Sequence, residues 1–435
     1  MPRESCFHLT PSIHFFASSD LRKGSFLEVV HKDGPCFQAP KEKLNTSTHI
    51  LVQRIAQDQY RVDSLHSKYK LMSTNHRSTV TLPATLGLSM GSLLYVVKVG
   101  LGTPATYLSL ELDTGSDLTW TQCEPCTLHC YNQTDPIFNP SKSTSYSNIP
   151  CKSPLCAQLD AHGCFKNSSC LYSIEYGDNS YSFGFFAKEK LTLTQFDVIE
   201  NFQFGCGQNN SLLPDVMTSG ILGLSQSNAS IVSQTAKKYN EVFSYCLPSS
   251  PCSLGHLTFG NINDVRHPMS FTPLLKNPHV DFPFYFIELR AISVYGQKLP
   301  INISVFLKVG TIIDSGTTIT RLPPLAYVAL QAAFQKQMSK YRTAQNVEIL
   351  DTCYNFSKYN YVTIPKISLF FKGDVELNID ASGIIAMLDK KQACLAFAGN
   401  ADETYISIIG NFQQKTHTVL YDVVGEKLGF GACGC

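Results

Sequence analysis

Two short strings carry the residues whose types and spacing could do chemistry together. They are Asp113-Thr114-Gly115-Ser116 and Asp314-Ser315-Gly316-Thr317, about two hundred residues apart in a chain of 435. Each follows an apolar, strand-like run, Tyr107 to Leu112 and Val309 to Ile313. One Asp-Thr-Gly is ordinary turn chemistry. Two copies in matching contexts, one domain-length apart, point to a duplicated lobe that brings one carboxylate from each half to a shared site. Carboxyls held about 3 Å apart cannot both ionise, so they share a proton. The ionised partner can take a proton from a water while the protonated partner donates to a carbonyl, and the pair titrates as a unit. Gly115 and Gly316 allow close approach of the backbone. The hydroxyls of Thr114, Ser116, Ser315 and Thr317 are placed to orient the carboxylates.

The elements around these loops repeat as well. Gly220-Ile221-Leu222-Gly223-Leu224 follows the first Asp, and Ile408-Ile409-Gly410 follows the second. Trp120, the single tryptophan, lies seven residues after Asp113. Tyr176-Gly177-Asp178-Asn179-Ser180 reads as a hairpin tip. With 43% apolar and 16% charged residues, and Val/Ile/Leu/Thr/Tyr/Phe runs broken by Gly, Asn, Pro and Ser, the chain reads as all-β. Such runs include Tyr95 to Val99, Leu191 to Thr194, Tyr285 to Leu289 and Val419 to Tyr421. Pro324 to Met338 is the best helical pattern after the first 83 residues, with Leu325, Val328, Ala329, Ala332 and Ala333 on one face.

These motifs resemble the pepsin-like aspartic proteases, and specifically their plant nepenthesin-like branch. The supporting strings are DTGSDLTWTQC (113–123), FGFFAKEKLTL (183–193), GILGLSQ (220–226), FSYCL (243–247), IIDSGTTITRL (312–322) and IIGNFQQKTHTVLYDV (408–423). The resemblance covers nearly all of the chain after residue 84. It implies a bilobal fold of two β-barrel-like lobes with a cleft between them, preceded by a partly helical prosegment. The expected division is 1–83 for targeting region and prosegment, 84–270 for the N-terminal lobe with a Cys-rich insert, and 271–435 for the C-terminal lobe. It further implies an aspartic endopeptidase using Asp113 and Asp314, acting at acidic pH on extended protein or peptide substrates. Tyr176 and Gly177 would form the flap, with Tyr176 bonded to Trp120. Asn179 departs from the family, which often has Gly there; Asn also tolerates a tight turn. The rival expectation is a catalytically inactive scaffold that binds or inhibits, but such relatives usually lose an Asp or the flap.

Sixteen cysteines suggest an oxidising compartment. The resemblance implies bridges Cys123–Cys126, Cys130–Cys206, Cys151–Cys170, Cys156–Cys164, Cys353–Cys394, and Cys246 to Cys433 or Cys435, leaving Cys252 and one terminal cysteine over in the peptidase part. Cys123, Cys126 and Cys130 lack the second Cys pair or paired His of a zinc site, so no metal is expected. No other cofactor is expected either. Sequons at Asn45, Asn132, Asn167, Asn209, Asn228, Asn302 and Asn355 mildly support secretion.

The first 83 residues carry net +4 against −3 for the remainder. SFLEVVHKDGPC (25–36) resembles a nepenthesin-like prosegment, and Leu51, Ile55, Val62, Leu65 and Tyr69 form a helical stripe. The expectation is a cover over the cleft, held by charge pairing at neutral pH, loosened by acid and cut between 75 and 95. The opening residues make a poor secretory signal, with only Ile13 to Ala17 apolar and a His inside. Secreted or vacuolar placement is expected, with a plastid address as the alternative, and no run is long enough to span a membrane. Gly87-Leu88-Ser89-Met90-Gly91 matches GxSxG but lacks the strand-before, helix-after context. No phosphate loop or HExxH spacing occurs, and a net charge of +1 argues against nucleic-acid binding. A monomer is the default.

Overall fold

A computed structural model describes residues 25–32, 47–74, 95–176, 180–212, 217–249, 254–260, 268–276, 283–389 and 391–432. It is a mostly β, bilobal, pepsin-like architecture, as expected. Strand β1 (Ser25–His31) and helix α1 (Ser47–Thr74) precede β2 (Tyr95–Leu101), β3 (Thr106–Asp113) and β4 (Trp120–Gln122). A 15-stranded sheet runs through the N-terminal half and takes in the C-terminal strands His417–Asp422 and Lys427–Ala432. The C-terminal half adds sheets of five, four and four strands.

The duplication is written in the strand pairing. In the first half β3 lies parallel to Gly220–Gly223, which lies antiparallel to β4, which lies parallel to Asp197–Ser211. In the second half Thr311–Ile313 lies parallel to Ser407–Ile409, which pairs antiparallel with Thr320–Leu322, itself parallel to Phe397–Gly399. The parallel central strands are buried on both faces, which is why they read as unbroken apolar runs rather than as alternation.

β1 is not an appendage. It sits inside the large sheet, antiparallel to both Gly255–Phe259 and β2. Its pattern alternates, with Leu27 and Val29 buried and Phe26 and Glu28 exposed. Lys32, at its end, reaches the buried Glu111 of β3 at 3.3 Å.

Two expectations are corrected. The helix over Pro324–Gln337 exists, but its buried face is Ala326, Tyr327, Leu330 and Phe334. Leu325 and Val328 are 58% and 59% exposed. Two interleaved apolar stripes run along this helix, and the one carrying the larger residues faces the core. The Cys-rich insert is stapled differently from the family-based pairing: Cys123–Cys206, Cys126–Cys130, Cys151–Cys164 and Cys156–Cys170. The reason is placement. β4 runs parallel beside the strand that carries Cys206, which sets Cys123 and Cys206 5.4 Å apart at Cα. Cys156 and Cys170 are buried in one apolar cluster, whereas Cys151 and Cys164 meet outside it. Cys353–Cys394 forms as expected, across a strand pair. Cys246 is bridged, and its expected partners Cys433 and Cys435 lie outside the described residues. So do Cys252, the 75–94 junction with its GxSxG string, and flap residues Gly177 to Asn179.

Candidate active site

Asp113 and Asp314 each stand where a buried strand ends and a loop turns back. The flanking parallel strands fix them: Gly223 is in register with Asp113, and Ile409 with Ile313. The Leu224 amide donates to the Asp113 carbonyl at 2.8 Å, and the Asp314 amide to the Ile409 carbonyl at 3.1 Å. The two apolar-apolar-Gly segments press against the loops. A β-carbon on Gly223 would strike the carbonyls of Ser116 and Asp117, and one on Gly410 that of Thr318.

The two loops are bonded to each other. Thr114 N donates to Ser315 Oγ at 3.0 Å, and Ser315 N donates to Thr114 Oγ1 at 2.8 Å. Thr114 Oγ1 donates to Asp314 Oδ1 at 3.3 Å. Within each loop the carboxylate accepts the amide two residues on, Gly115 N to Asp113 Oδ1 at 2.9 Å and Gly316 N to Asp314 Oδ1 at 3.1 Å. Ser116 Oγ donates to Asp113 Oδ2, and Thr317 Oγ1 donates to Asp314 Oδ2 at 2.6 Å. All six loop residues named from sequence therefore meet in one place, with both carboxylates buried. A β-carbon on Gly316 would collide with Asp113 Oδ1, so glycine is what lets the carboxylates converge.

Tyr176, expected from sequence to lie in a flap, is bonded to Trp120. Trp120 Nε1 donates to Tyr176 Oη at 2.8 Å, and Tyr176 N donates to the Ser180 carbonyl at 2.8 Å. Burial, helped by the charge of Asp113, pushes the Tyr176 phenol well above its ordinary pKa, so it acts as a neutral group.

Sequence reasoning did not single out the group that fills the site. Arg61, on α1, lies between the two carboxylates. Its Nη2 is 2.8 Å from Asp113 Oδ1 and 2.8 Å from Asp314 Oδ2, and its Nε donates to Asp314 Oδ2 at 3.1 Å. Burial opposes the charge on Arg61, but Asp113 and Asp314 outweigh it and raise its pKa above the usual value. One turn earlier, Asp58 accepts the amides of Thr318 at 2.6 Å and Ile319 at 3.0 Å, and pairs with Arg321 at 3.0 Å. One turn later, His66 Nε2 lies 2.9 Å from the Ile406 carbonyl, and its ring stacks on Tyr405. Val62 and Leu65 pack with Phe284, Phe286, Ile312, Ile406 and Ile408. Each such side chain gains roughly 1.5–3 kcal/mol on full burial. A signal was present: Arg54, Asp58, Arg61 and Leu65 recur at spacings of four, three and four, the period of one helix face. All four are buried.

Among the described residues, no group of three or more His, Cys, Asp or Glu could hold a metal, and no helix is long and apolar enough to cross a membrane.

A bilobal β scaffold with one Asp-[Thr/Ser]-Gly loop per half defines the pepsin-like aspartic protease class. Residues 95–261 match the family described as "Xylanase inhibitor N-terminal" and residues 284–432 its C-terminal counterpart. The chain is 48% identical over 419 residues to an aspartyl protease family protein of Arabidopsis thaliana, covering 94% of this chain and 87% of that one. It is 36% identical over 348 residues to aspartic proteinase nepenthesin-2 of Nepenthes gracilis, covering 78% of each. Conglutin gamma, a basic 7S globulin from lupine seeds, shares the fold: TM-score 0.62 at 20% identity, over 80% of this chain and 92% of that one. The chain belongs to the plant pepsin-like aspartic protease family, to which the nepenthesins also belong.

Proposed function

We propose that this protein is an aspartic endopeptidase in its self-blocked form. The observation that carries the reading is that one guanidinium contacts both carboxylates at 2.8 Å. Whatever occupies that spot is within reach of both acids. In the open enzyme a water sits there. One carboxylate takes its proton as the water oxygen attacks the peptide carbonyl carbon, and the protonated partner donates to the carbonyl oxygen. Collapse of the tetrahedral diol then breaks the C–N bond as the amine leaves with a proton. Thr114, Ser116, Ser315 and Thr317 hold the carboxylates in facing orientation. Tyr176, bonded to Trp120, closes over the substrate and excludes water. The substrate lies extended across the cleft, so main-chain bonds set register and pockets set preference.

The first 83 residues act as the prosegment. Arg61 neutralises the pair and fills the water position, while α1 and β1 hold it there. Removal requires that the docked helix lose free energy in acid, and His66 supplies one such loss. Burial, reinforced by Arg321, pulls its pKa from the usual 6.5 down to about 4, so the docked ring is neutral and acid favours release. Secretion or vacuolar delivery, glycosylation at the sequons, and a monomeric state belong to the same reading. Asn132, Asn167, Asn228 and Asn302 are exposed, as acceptors must be.

A second reading has a specific observation behind it, since the matched family description names xylanase inhibitors. In that reading the scaffold binds without cutting. The intact pair of Asp loops, cross-bonded through Thr114 and Ser315, favours catalysis. The deciding experiment is digestion of a denatured protein from about pH 2 to 8, the range over which a shared-proton pair works. It is run with and without pepstatin and beside Asp113→Asn. Acid activity abolished by both supports the endopeptidase. Inactivity of folded, processed protein favours the binding scaffold.

A further inference from the structure

Arg321 is an unusual residue to find buried beneath α1. It is among the largest fully buried side chains, yet it is a cation. Nη1 donates to the Ile319 carbonyl at 2.7 Å, and Nη2 faces Asp58 Oδ2 at 3.0 Å and Gln59 Oε1 at 3.3 Å. Nε has no acceptor among the described residues. The carboxylates that act on it, Asp58 and Asp63, both belong to α1, as does the facing His66. Asp58 therefore sits in a built carboxylate cradle of one guanidinium and two backbone amides, those of Thr318 and Ile319. When α1 leaves, Arg321 keeps its Nη1 bond to the Ile319 carbonyl, but its Nη2 and the amides of Thr318 and Ile319 stay with the C-terminal lobe and lose the Asp58 carboxylate. A buried cation and buried amides without partners are costly.

We infer that this cradle is a substrate subsite that recognises an acidic side chain, Asp or Glu, close to the scissile bond, with Arg321 as the specificity-determining residue. The inference rests on the endopeptidase reading above. Asp58 and Arg61 are three residues apart on a helix, so carboxylate and dyad contacts are about 4.5 Å apart along its axis. An extended substrate rises about 3.3 Å per residue, so the acidic residue lies within about two residues of the bond being cut. Arg suits the role because its planar fork engages a carboxylate in two places, whereas Lys offers a point charge.

The test uses the folded full chain, cut at a recognition site placed between residues 75 and 94 so that a labelled α1, still joined to β1 in the sheet, can undock. Peptides with a reduced, uncleavable central bond carry Asp or Asn at each of the two positions on either side. Displacement of α1 is read by fluorescence anisotropy at about pH 5.5, where a peptide Asp is ionised. At one position the Asp peptide should displace α1 at about 10- to 100-fold lower concentration than the Asn peptide, the range for charge-assisted hydrogen bonds. The contrast should vanish near pH 2.5, Arg321→Gln should erase it, and Arg321→Lys should keep part of it. Equal displacement by both peptides at every position, including none by either, overturns the inference. So does an undiminished contrast in Arg321→Gln. The peptide comparison in the unsubstituted chain stands even where a variant does not fold. A contrast without acid proteolysis would sink the endopeptidase reading and leave the subsite; proteolysis without a contrast would do the reverse.

Discussion

Trp120 and Arg321 occupy the same place in the two halves. Each lies seven residues after its Asp, on the strand that leaves the Asp loop, and each is fully buried. Trp120 turns an N–H toward Tyr176 of its own half. Arg321 turns a charge toward Asp58 of α1. The loops themselves are nearly equivalent in hydrogen bonding, so the duplication has conserved the part that holds the carboxylates. It has diverged in what leans on them: one half presents an N–H that holds Tyr176, the other a guanidinium and two amides that hold Asp58 of the N-terminal helix. The contacts of α1 with the second half include Asp58, Val62, Leu65, His66 and Tyr69, whereas its contact with the first Asp loop is Arg61.

Equivalence of the loops is broken most severely through the carboxylates. Asp113→Asn and Asp314→Asn should each cost roughly 10²–10⁴-fold in kcat/KM, the scale of a lost general acid or base. The double variant should cost little more, because the two act as one unit. Single-turnover rates on one peptide check this; retention of most activity by either variant would end the symmetric picture.

Next in size is Arg61→Met in the uncut chain. Removing one partner of a buried ion pair typically costs 3–5 kcal/mol, so α1 should undock and a small fluorogenic peptide should gain access to the site. Cleavage before any processing, absent in the unsubstituted chain, is the expected result. A block as tight as before would mean that the helix body, not the guanidinium, closes the cleft.

His66 sharpens the contrast between the halves, since it lies against the second. Its docked pKa, about 4, is below the ordinary 6.5, with burial as the main cause and Arg321 adding to it, while the Ile406 carbonyl pulls the other way. The released form therefore binds the proton more readily. The contribution of the neutral ring to docking is complete above pH 6.5, falls as pH drops, and is lost by about pH 4, amounting to roughly 3 kcal/mol. Amide exchange along α1, followed through this window, should show protection falling. In His66→Gln the fall should be shallower by that amount, and an unchanged slope would assign the acid response to other groups.

Much of this was readable before any coordinates. The Asp loops, Trp120, Tyr176 and the apolar-apolar-Gly floors are local strings tied to local geometry, and the strands around them are periodic. What could not be read depended on spatial choice. Seven cysteines between Cys123 and Cys170 admit many pairings, and only the parallel alignment of β4 with Asp197–Ser211 selects Cys123–Cys206. In Pro324–Gln337 two apolar stripes compete, and side-chain volume decided between them. Arg61 escaped notice because a charged residue beside an apolar stripe usually faces water. It is buried here because its partners, 52 and 253 residues away in sequence, are themselves buried.

The smallest effect probes the first half. Trp120→Phe keeps most of the ring volume in a fully buried site and removes only the donor to Tyr176. Tyr176 Oη would then have to find another partner or remain unpaired, at a cost of about 1 kcal/mol for a neutral hydrogen bond. Because the bond holds the flap rather than the dyad, the loss should appear in kcat/KM, about fivefold, with the acid limb of the pH profile unmoved. Conversely, Arg321→Gln at the matching position should alter preference among acidic and neutral peptides. If Trp120→Phe shifted peptide preference, or Arg321→Gln changed flap closure, the division of labour between the two equivalent positions would be wrong.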